Sequence, residues 1–260
     1  MAQRSNNSSA NIVVSDGAAR RIIKSLSSKS DRTPPMIRFI DFLFRFFLVL
    51  LPLPASAMEL SVSGSVVTMS GPVVLGDLTR FKDALGAHAD IKTVILRNSN
   101  GGHAPTGYQI GELIRNRGLL TVVSGHCISS CSRMFLGGKE RRFSDDQGLQ
   151  KTFVGFHGHY DDSGRLNRQS VQRLGLYNWI IKYSDGKADK ELVQRWINIE
   201  SNGGMVAFLH PNTKAFGEAR TFFCDGREAR RPLGCEGLQV KALELGVITG
   251  LAIWRRAESP

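Results

Sequence analysis

The sequence predicts an α/β domain built on parallel strands, and three observations predict it. Short apolar runs alternate with helical patterns between residues 60 and 160. Gly-containing loops stand at the carboxyl ends of two of those runs, and no repeat or low-complexity tract follows residue 58. One domain, 58–260, accounts for the folded part of the 260-residue chain.

The elements follow in order. Residues 60–75 alternate and are rich in Val, with Gly64 and Gly71-Pro72 as punctuation, which predicts two short strands and a turn. Leu78, Phe81 and Leu85 recur at helical spacing within 76–87. Thr93-Val94-Ile95-Leu96 is a buried strand that ends at Asn98-Ser99-Asn100-Gly101-Gly102, and 106–117 is a helix with Tyr108, Leu113 and Ile114 inward. Thr121-Val122-Val123 is a second buried strand, followed at once by Gly125-His126-Cys127-Ile128-Ser129-Ser130-Cys131 and a helical run to Leu136. Val154-Gly155-Phe156-His157 closes a further strand. From 166 to 208 the pattern is mostly helical, and a final helix is expected at 238–245 before Val247-Ile248.

The N-terminal segment reads as an address. Residues 36–57 carry an early Arg38, an apolar run from Phe42 to Leu53, and Ala55-Ser56-Ala57, whose small residues suit signal peptidase. Cleavage before Met58 is expected. Met36 stands where a signal peptide would start, so the Ser- and Asn-rich residues 1–35 read as a disordered segment or an upstream extension of the reading frame. The alternative is an uncleaved anchor, but Asp41 and Arg45 interrupt the apolar run and Pro52 and Pro54 end it. Both readings place the domain outside the cytoplasm, in the periplasm or an equivalent space. Any membrane contact would run through 36–57.

The formal charge is +11, but residues 1–57 supply much of it with eight Lys/Arg against three Asp/Glu. In the remainder the basic residues are scattered, without the aromatic interleaving of a single-strand binding surface, so nucleic acid is not an expected partner. Four cysteines, Cys127, Cys131, Cys224 and Cys235, allow three disulfide pairings. The local pairing, Cys127–Cys131 and Cys224–Cys235, is preferred because each bridge closes a short loop, and an oxidising compartment permits it. A free Cys131 is the alternative.

Three features carry chemistry in combination. Gly101-Gly102 allows a sharp turn after a strand and leaves an amide unshielded. Small residues around Ser129, at a strand-to-helix junction, can expose its hydroxyl while aiming the next amide at a developing oxyanion. His157 ends a later strand and supplies a base. Serine is a poor nucleophile until a neighbouring base takes its proton, and the tetrahedral intermediate needs donors already in place.

These residues also carry a resemblance. VVTMSGPVVLGDLTRFKDALGAHADIKTVILRNSNGG, residues 66–102, resembles the opening of the Clp protease proteolytic subunit, where a strand and an "SG" turn lead to a strand ending in "NSPGG". TVVSGHCISSCSRMFLGG, residues 121–138, resembles its nucleophile segment, and the Cys-Ile-Ser-Ser-Cys core is similar to "C-A-S-A-C" in a group of exported Clp-like proteins. Phe156-His157 resembles the family's strand-end histidine, and 242–248 its late "A-x-x-x-G-L-V" exit.

The resemblance implies the Clp/crotonase-like spiral of ββα units and a serine peptidase. Ser129 becomes nucleophile and His157 general base, with the amides of Gly102 and Ser130 as oxyanion hole and a peptide or protein as substrate. It implies no cofactor, and homo-oligomers of the kind the family forms. Asn100 departs from the family's Pro, and residues 160–237 match poorly. No clean third triad member is present. Asp225, inside the Cys224–Cys235 loop, is the nearest acid with a plausible address; a Ser-His dyad, or a histidine oriented by a backbone carbonyl, is the alternative.

The competing reading is a catalytically inactive binding or scaffolding module on the same fold. A zinc centre at His126, Cys127, Cys131, His157 and His159 is disfavoured because the spacing matches no standard finger. A crotonase-type acyl-CoA enzyme is disfavoured because it gives the Ser-His pair no role and CoA is not expected outside the cytoplasm.

Overall fold

The computed structural model describes residues 57–256 apart from 215 and 229–231. The expected extension 1–35, and the expected export signal up to residue 56, lie outside the described residues. Among the described residues no helix is long and apolar enough to cross a membrane.

The Val-rich start folds into a hairpin, β1 (Glu59–Ser63) and β2 (Val66–Ser70), turning at Gly64 with φ 53°. Helix α1 (Asp77–Ala87) buries Phe81 and Leu85 as its spacing predicts. Strand β3 (Thr93–Ser99), helix α2 (Ala104–Asn116), strand β4 (Leu120–Ile128) and helix α3 (Ser130–Gly137) follow. After β5 (Glu140–Phe143) and a 3-10 turn comes β6 (Phe153–Phe156). Three short helices, α4 (Arg168–Arg173), α5 (Leu176–Tyr183) and α6 (Lys190–Ile197), precede β7 (Met205–Leu209), β8 (Thr221–Cys224) and β9 (Glu236–Leu238).

The result is a mixed α/β domain with one nine-stranded sheet, ordered β1-β2-β3-β4-β6-β7-β8-β9, with β5 branching off β4. The centre from β2 to β6 is parallel, as expected; β1 on one side and β7, β8 and β9 on the other are antiparallel. β4 is the hub. Its first half pairs with β5 and its last three residues with β6, and Gly125, with φ 73°, marks the changeover. A side chain at Gly125 would strike Asn98 Oδ1 at 2.0 Å, so the irregular register there requires glycine.

Four elements depart from expectation, β8 among them because no strand is read at 221–224. β5 was not anticipated because Glu140-Arg141-Arg142-Phe143 reads as a charged loop; Arg141 is buried there, donating to the carbonyls of Gly138 (2.7 Å) and Gly246 (2.9 Å) and pairing with Asp185. The helical run stops at Ile197, and Met205–Leu209, apolar and flanked by partner strands, becomes β7. The helix expected at 238–245 is a set of tight turns: Leu238 still belongs to β9, and Val247 N donates to Ala242 O at 2.8 Å.

Packing holds the strand ends in place. Phe156, the last residue of β6, stacks on Trp196 of α6 at 5.3 Å between ring centroids and meets Phe208 of β7 edge-on. All three are buried, and each such side chain contributes about 2–3 kcal/mol. α2 and α3 approach at backbone distance: a Cβ on Gly107 would lie 2.5 Å from Ser130 O, and one on Gly111 2.5 Å from Arg133 O.

Candidate active site

Three adjacent parallel strands, β3, β4 and β6, end side by side, and their carboxyl ends carry Asn100-Gly101-Gly102, Ser129 and His157. This is where parallel sheets place ligands. The three segments line one open cleft of about 590 Å³, together with His103, His159, Tyr160, Asp162 and Arg173. A separate apolar cavity of about 200 Å³, between Phe153, Met205, Leu209 and Phe216, reaches Cys224 of the second disulfide but carries none of the candidate catalytic or oxyanion-hole residues.

Ser129 sits between β4 and α3 with φ 57° and ψ −126°. That is the mirror-turn conformation that normally needs glycine, so the backbone is strained and must be held by its surroundings. Its N–H donates to Gly155 O on β6 at 3.1 Å. Its carbonyl accepts from Ser132 N (3.0 Å), Ser132 Oγ (2.6 Å) and the Arg133 guanidinium. The Cys127–Cys131 disulfide clasps the turn from both sides, and the second bridge is Cys224–Cys235, so both close locally as preferred. With its two sulfurs bonded to each other, the Cys127 and Cys131 pair has no thiolates to give a metal.

The loop after β3 packs on this turn. A Cβ on Gly101, where φ is 87°, would lie 2.6 Å from Ser129 Cβ and 2.9 Å from Ser130 N. The loop is pinned by Val73 N donating to Gly101 O (2.9 Å) and His103 N donating to Val73 O (2.8 Å). Gly102 lies between these two anchors, exposed at the cleft. The Ser130 amide is the first of α3, a position whose N–H has no intrahelical acceptor.

His157 follows β6 and is 8% exposed. Its Nδ1 lies 2.9 Å from Gly158 O; since a carbonyl only accepts, Nδ1 carries the proton and Nε2 keeps its lone pair. Burial, reinforced by the positive charge of Arg133 and opposed by the Gly158 carbonyl, pushes its pKa down to about 3, so the imidazole is neutral at physiological pH. Ser129 Oγ makes no side-chain hydrogen bond among the described residues, so the Ser–His contact is open in this state. Such contacts commonly tighten only around substrate.

Asp225 is elsewhere. It follows β8, outside the residues lining the cleft, and its carboxylate is taken up by the Arg227 side chain and by Arg227 N at 2.9 Å. The bond to Arg227 lowers its pKa to about 2. The position beside His157 Nδ1 that a triad acid fills is held by the Gly158 carbonyl.

The residues that sequence reasoning missed lie beneath the cleft floor. Arg133, at 1% exposed, donates to His157 O at 2.6 Å as well as to Ser129 O. Tyr108, already placed inward, pairs its hydroxyl with His159 Nε2 at 3.0 Å. The available signal was an Arg within SCSRMFLG, a helix otherwise free of charge and followed by Gly137-Gly138.

No protein-family model matches the chain, and no curated protein matches it. Among solved structures, ClpP1 from Listeria monocytogenes is 14% identical, with 74% of this chain and 93% of that chain covered and a TM-score of 0.45. A point mutant of ClpP1 from the same organism is 16% identical, with 51% and 78% covered and a TM-score of 0.41.

Proposed function

We propose that this domain is a serine hydrolase, with peptides as substrate, that works through an acyl-enzyme on Ser129. The observation that carries the reading is the meeting of the strained Ser129 turn, the His157 Nε2 lone pair and the Gly101-Gly102 loop at three neighbouring strand ends. The resemblance of 66–102 and 121–138 to the Clp proteolytic subunit supports it from the sequence side.

In this reading His157 Nε2 takes the proton of Ser129 Oγ as Oγ attacks the substrate carbonyl. The amides of Gly102 and Ser130 receive the oxyanion; removing one such donor typically costs about 3 kcal/mol of transition-state stabilisation. The intermediate collapses, His157 returns the proton to the departing amine, and water then repeats the sequence to release the acid. The Gly158 carbonyl orients the imidazole in place of an acid. It fixes the tautomer but lends less charge to the imidazolium than a carboxylate does, so turnover is slow unless substrate binding raises the basicity of His157. Two local disulfides support a location in an oxidising, extracytoplasmic space. A protein or peptide partner and self-association are carried over from the same resemblance.

The test is labelling of the purified, disulfide-bonded protein by a fluorophosphonate probe, compared with Ser129→Ala and His157→Ala. Labelling that maps to Ser129 and disappears in both variants supports the reading. A folded protein that never labels, even with peptide ligands present, favours the binding module.

A further inference from the structure

Arg133 lies on α3 four residues after Ser129, and every residue of that helix is buried. No carboxylate lies within ion-pairing distance of its guanidinium among the described residues; the groups it hydrogen-bonds are neutral. A buried charge costs several kcal/mol of desolvation unless its donors are used. An apolar side chain would fill the space without that cost, so packing alone does not call for a guanidinium.

Its donors are spent chiefly on two places, with the neutral Tyr108 side chain as a further partner. Nη1 donates to the Ser129 carbonyl and lies 3.2 Å from Ser132 Oγ; Nη2 donates to the His157 carbonyl at 2.6 Å. Ser129 follows β4 and His157 follows β6, and among the described residues no other side chain bonds to both. Nε has no partner, so the bridge to the two carbonyls is the guanidinium's main engagement.

We propose that Arg133 is a positioning residue: its rigid fork ties the nucleophile turn to the strand end that carries the base and sets their relative placement. This rests on the reading of Ser129 and His157 as nucleophile and base. A planar, two-ended donor suits the task; a lysine ammonium reaches one carbonyl or the other. The charge has a second effect, because it lies beside His157 and helps keep it neutral. The other titratable or charged groups near His157 are Tyr108 from α2 and His103 just before it, His159, Tyr160 and Asp162 from the segment after β6, and Arg173 from α4.

The experiment compares wild type, Arg133→Met and Arg133→Lys in the full disulfide-bonded chain. Thermal unfolding checks the fold, fluorophosphonate labelling of Ser129 reports placement, and ¹⁵N-imidazole NMR reports His157. Arg133→Met is expected to lose about a hundredfold in labelling rate and to move the His157 titration midpoint up by about one pH unit or more. Arg133→Lys is expected to lose labelling rate while its midpoint stays low, with faster exchange of the His157 Nδ1–H. A folded variant with wild-type labelling and a wild-type His157 spectrum overturns the proposal, and Arg133→Lys alone decides if the methionine variant does not fold. Absence of labelling in the wild type rejects the nucleophile assignment instead. The NMR comparison then still tests the arm to His157: a His157 signal unchanged in the variants overturns it.

Discussion

The Nδ1–H of His157 donates to the carbonyl of its own chain neighbour, Gly158, at 2.9 Å. The imidazole is therefore oriented by the backbone, and burial beside Arg133 keeps it neutral down to about pH 3. The labelling rate of Ser129 is accordingly expected to stay level from pH 8 to pH 5, where an ordinary histidine would switch it off through a midpoint near 6.5. A rate profile in a fluorophosphonate assay checks this, and a midpoint between 6 and 7 would contradict it.

Acid should weaken the fold. His157 and His159 both hold pKa values near 3 in the folded protein, chiefly through burial, against 6.5 for an unperturbed imidazole. Between those values the unfolded chain binds more protons than the native one. The stability is whole above pH 6.5 and is lost as pH falls towards 3, at up to about 1.4 kcal/mol per histidine per pH unit. Urea midpoints at pH 7.5 and 5 measure the slope. His159→Gln, which leaves the Tyr108 hydroxyl a partner, should make it shallower; an unchanged slope would remove His159 from the account.

Strain at Ser129 predicts a trade between stability and chemistry. Its φ of 57° and ψ of −126° suit glycine, so Ser129→Gly should stabilise the domain by about 1 kcal/mol while abolishing labelling. Ser129→Ala keeps the strain and should abolish labelling without that gain. Chemical denaturation of the two variants side by side is the measurement, and equal stability would mean the turn is not strained.

Gly101 and Asp225 should separate cleanly. Gly101→Ala pushes a methyl to within 2.6 Å of Ser129 Cβ and Ile128 O at a φ of 87°, which should cost about 1–3 kcal/mol and silence the serine. Asp225→Asn breaks only the exposed contact to Arg227 and should leave labelling at the wild-type rate. Loss of labelling in Asp225→Asn would return the acid to the mechanism.

Much of the fold was legible because its central strands are apolar runs with glycine at their ends. β3, β4 and β6 fall where Thr93–Leu96, Thr121–Val123 and Val154–His157 place them. β5 was hidden because burial of Arg141 depends on carbonyls of Gly138 and Gly246, the latter a hundred positions away in sequence, which no local pattern records. β7 was hidden because a five-residue apolar run after three helices has no period of its own to declare it a strand. The placement of Ser129, Gly102 and His157 at neighbouring strand ends was readable from the strands themselves. The Gly158 carbonyl was foreseen only as an alternative to an acid, since backbone acceptors leave no mark in residue types. Arg133 escaped because a charged side chain on a short helix ordinarily reads as solvated.

The shared edge of β4 has a consequence for kinship. β5 occupies that edge opposite Leu120–Val123, and β6 resumes it opposite His126–Ile128. The chain between them, 144–152, spans the changeover and delivers β6 to the stretch of β4 that ends beside Ser129. A one-residue slip of β6 against β4 would slide the histidine by about 3.3 Å and turn it to the opposite face. A relative could keep both residues and lose their meeting through a change in that register alone, so relatives should be compared by how β6 pairs with β4 as much as by the presence of a serine and a histidine.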